Sequence, residues 1–321
     1  MKDLVAIVSS PLQLINLSEY IVSQNIKNYS ILILYYSDKE LNQLNSINKI
    51  YNLDIDFSIL GRPIFQYLEL FRLSQKFKKI KEIVIGNFFS DPHIFFLNSC
   101  SPKKVTLIDD GMIVHEIPNF IGTNRRMVNL NLIKKTLNFF GLFEYPSHIK
   151  LYTIFDLIQT SNINLQHNKL PVIKSKISKK SISKKIIIIG QPLIEKRLVK
   201  KDSYLSVLKK IINNNIGYEI LYFPNRKENK LSLDHIKNLK KIKIVTSNDC
   251  LELFISKSDF LPSKIIGFTS TALYTIDKIF NSTNQIIEIQ SYKLKLEHSQ
   301  DTYNNIYEKL INYGIVVVKR F

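Results

Sequence analysis

The feature that most constrains this chain is an alternation of short, uniformly apolar segments with longer stretches of helical periodicity. Leu4 to Ser9 is the first apolar segment, and Pro11 then opens LQLINLSEYIVSQ, where Leu12, Ile15, Leu17, Ile21 and Val22 recur roughly at helical spacing. Further strands are predicted at Ser30–Tyr36, Ile55–Leu60, Glu82–Gly86 and Lys104–Ile108, separated by helices at Lys39–Tyr51, Pro63–Lys79 and Phe89–Asn98. Strands this apolar are buried on both faces, which predicts a parallel sheet covered by helices on either side. The alternation lapses after Leu165 into QHNKLPVIKSKISKKSISKK, rich in lysine and serine and without an apolar face. It restarts with strands at Ile186–Ile189, Glu219–Phe223, Ile242–Thr246, Lys264–Phe268 and Gln285–Ile289. Helices at Tyr204–Asn213, Asp234–Leu239, Leu251–Ser256, Ala272–Phe280 and Asp301–Asn312 lie between and after them.

A length of 321 residues suits two domains of about 150 residues each. The expected organisation is a Rossmann-like domain over residues 1–164, a basic linker over 165–185 and a second Rossmann-like domain over 186–321. In such an α/β protein a ligand is expected in the interdomain cleft. A basic surface loop within one domain is the alternative reading of 165–185. Hydrophobic residues make up 45% of the chain, which excludes wholesale disorder. The two cysteines, Cys100 and Cys250, lie outside any CxxC or Cys/His cluster, so neither a disulfide scaffold nor a zinc site is expected, and a reducing cytoplasm is. The apolar run near the N-terminus is too short for a signal peptide, and no run reaches membrane-spanning length. The net charge of +18 attracts phosphate on nucleotides, lipid headgroups or nucleic acid, although an AT-rich coding composition would enrich lysine in the same way.

Several turns at predicted strand ends carry groups with chemistry. Asp109-Asp110-Gly111 follows a strand, where adjacent carboxylates can raise one another's pKa toward a general base; an ordinary Asp-Gly turn uses the same residues. Ser9, Ser10 and Gln13 occupy the first strand-to-helix turn and either face a polar ligand or cap the helix. Asn225 and Arg226 end another strand, as a phosphate contact or as a solvated basic turn. Thr269, Ser270 and Thr271 precede a helix, where hydroxyls and unpaired N–H groups make an anion site, although one of them must cap in any case. Asp54-Ile55-Asp56 reads as two exposed carboxylates on a strand rather than as a metal motif. Walker A, GxGxxG, HExxH and GxSxG sequences are absent, and the six histidines show no ligand spacing.

Taken in order, the SSPLQL turn, the strand-terminal DDG, Gly190-Gln191-Pro192, the PNR turn and the STS before a helix resemble the bacterial sialyltransferases. The nearest group is the lipooligosaccharide sialyltransferases of glycosyltransferase family 52, with the polysialyltransferases more distant; Tyr152 to Phe155 also resembles the former. The resemblance implies a GT-B fold and inverting transfer of sialic acid, or a related nonulosonic acid, from a CMP-activated donor without a metal or other cofactor. The acceptor would be a hydroxyl of a bacterial surface glycan, whether O-antigen, capsule or lipooligosaccharide, carried on a lipid. By carry-over Asp109 or Asp110 is the base, Glu195 is a reserve base, and Ser270 and Thr271 hold the phosphate, with Gln191 and Gly111 beside them. The family's His-Pro motif is replaced here by Pro224-Asn225-Arg226, and Asn225 cannot act as an acid. The partners implied are the CMP donor, the glycan, an anionic membrane surface touched peripherally from the cytoplasm and, in an assembly the sequence does not encode, a second copy of the chain; nucleic acid is not among them. Two other readings compete. One is a GT-B transferase or epimerase using a UDP- or other nucleotide-sugar, and the other is a non-catalytic basic module binding anionic lipid or nucleic acid.

Overall fold

The computed structural model describes residues 2–62, 65–123, 125–127, 130–175, 180–281 and 287–318. Three sequence expectations extend beyond them: the first two residues of the Pro63–Lys79 helix, 176–179 of the basic stretch, and 285–286 of a predicted strand. The chain divides into two compact units, Met1–Val172 and Ile173–Phe321.

In the first unit the strands are β1 (Leu4–Val8), β2 (Tyr29–Tyr35), β3 (Ile55–Leu60), β4 (Glu82–Ile85), β5 (Lys104–Ile108), β6 (Ile149–Thr153) and β7 (Ile163–His167). They form one sheet in the order β3-β2-β1-β4-β5-β6-β7, parallel at every pairing. All five residues of β1 are buried, as a central strand covered on both faces requires. The helices are α1 (Pro11–Ser23), α2 (Asp38–Tyr51), α3 (Phe65–Ser74), α4 (Asp91–Cys100) and α5 (Leu132–Asn138). The starts of α1 and α2 follow from local chemistry. Ser37 accepts from the Glu40 N–H at 3.3 Å while Glu40 accepts from the Tyr36 N–H at 2.8 Å, a reciprocal cap of the S-x-x-E kind. Ser10 accepts from the Gln13 N–H at 3.3 Å ahead of Pro11, and the Gln13 amide oxygen accepts from the Ser9 N–H at 2.7 Å.

The second unit repeats the plan. After α6 (Pro171–Ser175), which spans the boundary between the units, come β8 (Ile182–Ile189), α7 (Lys201–Asn214), β9 (Glu219–Phe223), α8 (Lys230–Lys237), β10 (Ile242–Ile244), α9 (Leu251–Lys257), β11 (Leu261–Gly267), α10 (Ala272–Phe280), β12 (Glu288–Tyr292), α11 (Gln300–Asn312) and β13 (Val316–Val318). Its six-stranded parallel sheet has the order β10-β9-β8-β11-β12-β13. Relative to its own first strand this is 3-2-1-4-5-6, the doubly wound order of Rossmann folds. Ile186 to Ile189 are buried at its centre, each contributing about 2 kcal/mol by leaving water. The structure thus has the two Rossmann-like α/β domains of a GT-B type protein. No described helix is long and apolar enough to cross a membrane.

In both sheets the strand order reverses direction beside the first strand of the unit, between β1 and β4 and between β8 and β11. Helices leave to opposite faces at such a switch point, and the carboxyl ends of the flanking strands are left open to a ligand.

Candidate functional site

At the switch point of the first sheet, the loops after β1, β4 and β5 converge. Asp109 and Asp110 are neighbours in sequence but have different surroundings. Asp109 is 1% exposed and accepts from Asn16 Nδ2 at 2.6 Å, from the Ile154 N–H at 2.8 Å and from the Thr153 hydroxyl. Asn16 also donates to the Asp109 carbonyl at 3.1 Å and accepts from Asn168 Nδ2 at 3.1 Å, and Asn168 accepts from the Tyr152 hydroxyl at 3.0 Å. This network joins β5 to α1 and β6 inside the unit. Burial raises the Asp109 carboxyl to about 6, against the opposing pull of its hydrogen bonds and with a further push from the Asp110 charge.

Asp110 is only half-buried. Ser10 Oγ donates to its Oδ1 at 3.1 Å and Asn87 Nδ2 donates to its Oδ2 at 2.7 Å, so each carboxylate oxygen is held from a different strand end. Asn87 is in turn fixed by its own loop: its N–H donates to His93 Nδ1 at 3.2 Å and its Oδ1 accepts from the Phe89 N–H at 2.8 Å. Burial pulls the His93 imidazole down to about 3, so it stays neutral and serves as an acceptor. Gly111 follows Asp110 at φ 85, in the left-handed region that a side chain would strain, and turns the chain into a 3₁₀ segment over Met112–Asn119. Ser9 and Gln13 stand in the same turn with a different role. The Gln13 side chain is 1% exposed and folds back on Ser9, and a Cβ on Gly86 would collide with it.

At the switch point of the second sheet, Gln191 follows β8 and reaches across to the loop after β11. Its Oε1 accepts from the Thr269 N–H at 2.9 Å and its Nε2 donates to Thr269 Oγ1 at 3.2 Å. This amide clamp fixes the hydroxyl-bearing turn ahead of α10. Ser270 rather than Thr271 provides the side-chain cap, accepting from the Ala272 N–H at 3.3 Å. Asn225 and Arg226 follow β9, the other neighbour of β8, and therefore share this sheet edge with the Thr269–Thr271 turn, their strands lying two spacings, about 10 Å, apart. The turn they form rests on a buried carboxylate that sequence reasoning overlooked. Glu228 accepts from the Asn225 N–H at 2.6 Å and from the Tyr222 hydroxyl at 2.5 Å, and Tyr222 pairs with the Tyr204 hydroxyl at 3.0 Å. Glu195 accepts from the Asn229 N–H at 2.9 Å, while its other oxygen is buried without a hydrogen-bond partner among the described residues. Metal-ligand clusters of three or more His, Cys, Asp or Glu do not occur among the described residues.

A Cβ on Gly190 would strike the Glu228 carboxylate and come within 2.9 Å of the Tyr222 ring. Gly190→Ala is expected to lower stability by about 1–3 kcal/mol, read as a shift of the urea midpoint, because neither pinned group can move without breaking the hydrogen bonds beneath Asn225. An unshifted midpoint would show that Glu228 does not brace this turn.

A scan of protein-family models and a search of curated proteins each return no match. Solved structures do match. The UDP-GlcNAc 2-epimerase of Methanocaldococcus jannaschii, in complex with UDP-GlcNAc and UDP, superposes with a TM-score of 0.61 at 13% identity, over 99% of this chain and 89% of that one. The Neisseria meningitidis UDP-GlcNAc 2-epimerase bound to UDP-GlcNAc gives 0.59 at 9% identity, over 98% and 92%. S. aureus MnaA with UDP gives 0.59 at 8% identity, over 97% and 88%. At such identities the likeness is one of fold.

These matches overturn the family 52 sialyltransferase expectation, together with the CMP-activated donor and the sialic acid transfer that came with it: the similar structures carry UDP or UDP-GlcNAc, and none supports a sialyltransferase. The physical reason lies in the motifs. SSPLQL is a helix cap, DDG is a strand-end turn with a left-handed glycine, and the STS turn contains a cap, so doubly wound sheets generate such residues whatever they bind.

Proposed function

We propose that this protein is a nucleotide-sugar enzyme of the epimerase class that takes a UDP-linked sugar. The edge of the second sheet, with Gln191, the Thr269–Thr271 turn, the N-terminus of α10, Asn225 and Arg226, would hold the nucleotide. Asp110 would move the proton. The observation that carries the reading is the cradle of Asp110, whose two oxygens are held by Ser10 and Asn87 at a switch point. A solvated turn aspartate has no need of such support. By proton chemistry, inversion at C2 needs a group that takes the C2 proton while the C1–O bond to the diphosphate breaks, giving a C1=C2 double bond and UDP. It also needs a donor that returns a proton to C2 on the opposite face as UDP rejoins C1; a fixed, half-exposed carboxylate suits the first role. The choice of UDP is supported by the solved structures of like fold, which are complexes with UDP or UDP-GlcNAc. The excess of positive charge supports peripheral placement at an anionic membrane face as part of the same reading.

The test is incubation with UDP-GlcNAc in deuterium oxide, followed by proton NMR, beside calorimetric titrations with UDP and with CMP. The expected result is binding of UDP in preference to CMP, with solvent deuterium entering C2 of the sugar in the absence of any acceptor. UDP binding without exchange would overturn the epimerase assignment, and CMP binding in preference to UDP would overturn the substrate class.

A further inference from the structure

We propose that the exposed faces of α3 and α5 in the first unit form a docking surface for an anionic lipid bilayer. This names the surface for the peripheral placement proposed above and does not depend on which sugar nucleotide is bound. Phe65, Leu68 and Phe71 on α3 and Leu132, Phe139 and Phe140 on or just after α5 are between 49% and 89% exposed. Isolated exposed apolar residues are ordinary, but these include every phenylalanine among the exposed large hydrophobic residues described. On α3 the three recur at spacings of three, which puts them on one stripe with Arg72, while Gln66, Leu70 and Ser74 face inward. Leu132, Lys135 and Phe139 repeat the pattern on the second helix.

The two helices flank the same side of α4. The Tyr67 ring of α3 lies 5.1 Å from that of Phe95 on α4, and Lys134 of α5 stands 5.6 Å from the centre of the Tyr67 ring. Lys134 and Arg126 also grip Asp91, at the start of α4, at 2.6 and 2.7 Å. Lys134 thus ties α5 to α4 and to the Tyr67 ring of α3, while the apolar side chains point to solvent.

Charge decides the occupant. Arg62, Arg72, Arg125 and Lys135 are exposed around the apolar residues, and α3 and α5 together carry one acidic residue, Glu69. A second copy docked about a two-fold axis would set these cations against their own equivalents, whereas an anionic bilayer neutralises them while phenylalanine and leucine enter the acyl boundary.

The experiment is sedimentation of the full chain with vesicles of phosphatidylcholine alone or with about one-third phosphatidylglycerol. The anionic vesicles are expected to retain the protein, the neutral ones to leave it in solution, and about 0.5 M salt to weaken retention. Joint Phe139→Ser and Phe140→Ser should weaken vesicle affinity by about tenfold or more. Arg72→Ala and Lys135→Ala should each weaken it by about fivefold. Melting temperature and UDP titration serve as controls and should not change, so failure here is distinct from failure of the substrate reading. Absence of binding to anionic vesicles, or equal binding by wild type and all these variants, would overturn the proposal. So would a concentration-dependent dimer in sedimentation velocity that the phenylalanine substitutions dissolve.

Discussion

Asp110→Asn is expected to lower turnover of the UDP-linked sugar by about 10²- to 10⁴-fold while leaving the affinity for UDP within a few-fold of wild type. An asparagine fills the same space and can still accept from Ser10, though it no longer offers an acceptor to Asn87, and it cannot take a proton at neutral pH. The loss should fall on kcat, because the role proposed for Asp110 is in the chemical step and the nucleotide contacts proposed above are other residues. Ser10→Ala and Asn87→Ala, which each remove one support from the carboxylate, should give smaller losses of the same kind. Steady-state kinetics with a UDP titration on each variant would decide it. Turnover within tenfold of wild type in Asp110→Asn would mean that the proton is moved by another group.

The second large effect concerns Asp109 and appears in stability. Its substitution by leucine leaves the Ile154 N–H and the Thr153 hydroxyl without their carboxylate acceptor in a buried setting and reduces Asn16 Nδ2 to its bond with the Asp109 carbonyl, and should cost about 3–5 kcal/mol. Asp109→Asn keeps one acceptor and should cost less. The wild-type pH dependence has a definite sign. The folded carboxyl titrates at about 6 and the unfolded one near its ordinary 3.8, so between these values the folded state binds more protons. Stability from this group is therefore greatest below pH 3.8 and declines by about 3 kcal/mol as pH rises through 6. Urea denaturation at a series of pH values should show that decline in the wild type and a flatter curve in Asp109→Asn. Parallel curves would show that Asp109 is not the titrating group.

The parts of the fold that were legible from sequence are those set by burial on both faces. LVAIV of β1 and the isoleucines of β8 cannot be other than central strands in a chain whose helices flank them. The strands that escaped notice lie toward the ends of the sheets. Ile163–His167 alternates polar and apolar residues because it is the last strand of its sheet, and it falls at the start of the lysine-rich stretch. Val316–Val318, at the edge of the other sheet, is three residues long. Of the strand expected at Gln285–Ile289, residues 285–286 lie outside the described ones, and the pairing runs over Glu288–Tyr292 with Ile289 beside Ile265.

The site was legible in part for the same reason. Asp110, Gln191 and the Thr269–Thr271 turn end strands and so declared their position. Asn87, Asn16 and Glu228 did not, since their importance comes from contacts with distant segments: Asn16 reaches Asp109 across 93 positions of sequence. One clue was present. Asn16 is a lone amide in Leu14-Ile15-Asn16-Leu17, and a polar group on a wholly buried helix face must have a partner. Glu228 gave no such clue, because in a turn of arginine and lysine it reads as one more solvated charge. In the first turn, Ser10 caps its helix and Gln13 is folded back onto Ser9.

The Ser10 hydroxyl has a double duty, capping the start of the first helix and steadying Asp110. Fraying of a helix end requires far less free energy than melting of a whole domain. The activity proposed for Asp110 should therefore fade with warming while most of the protein is still native, and a bound molecule that leans on this turn would delay that fading.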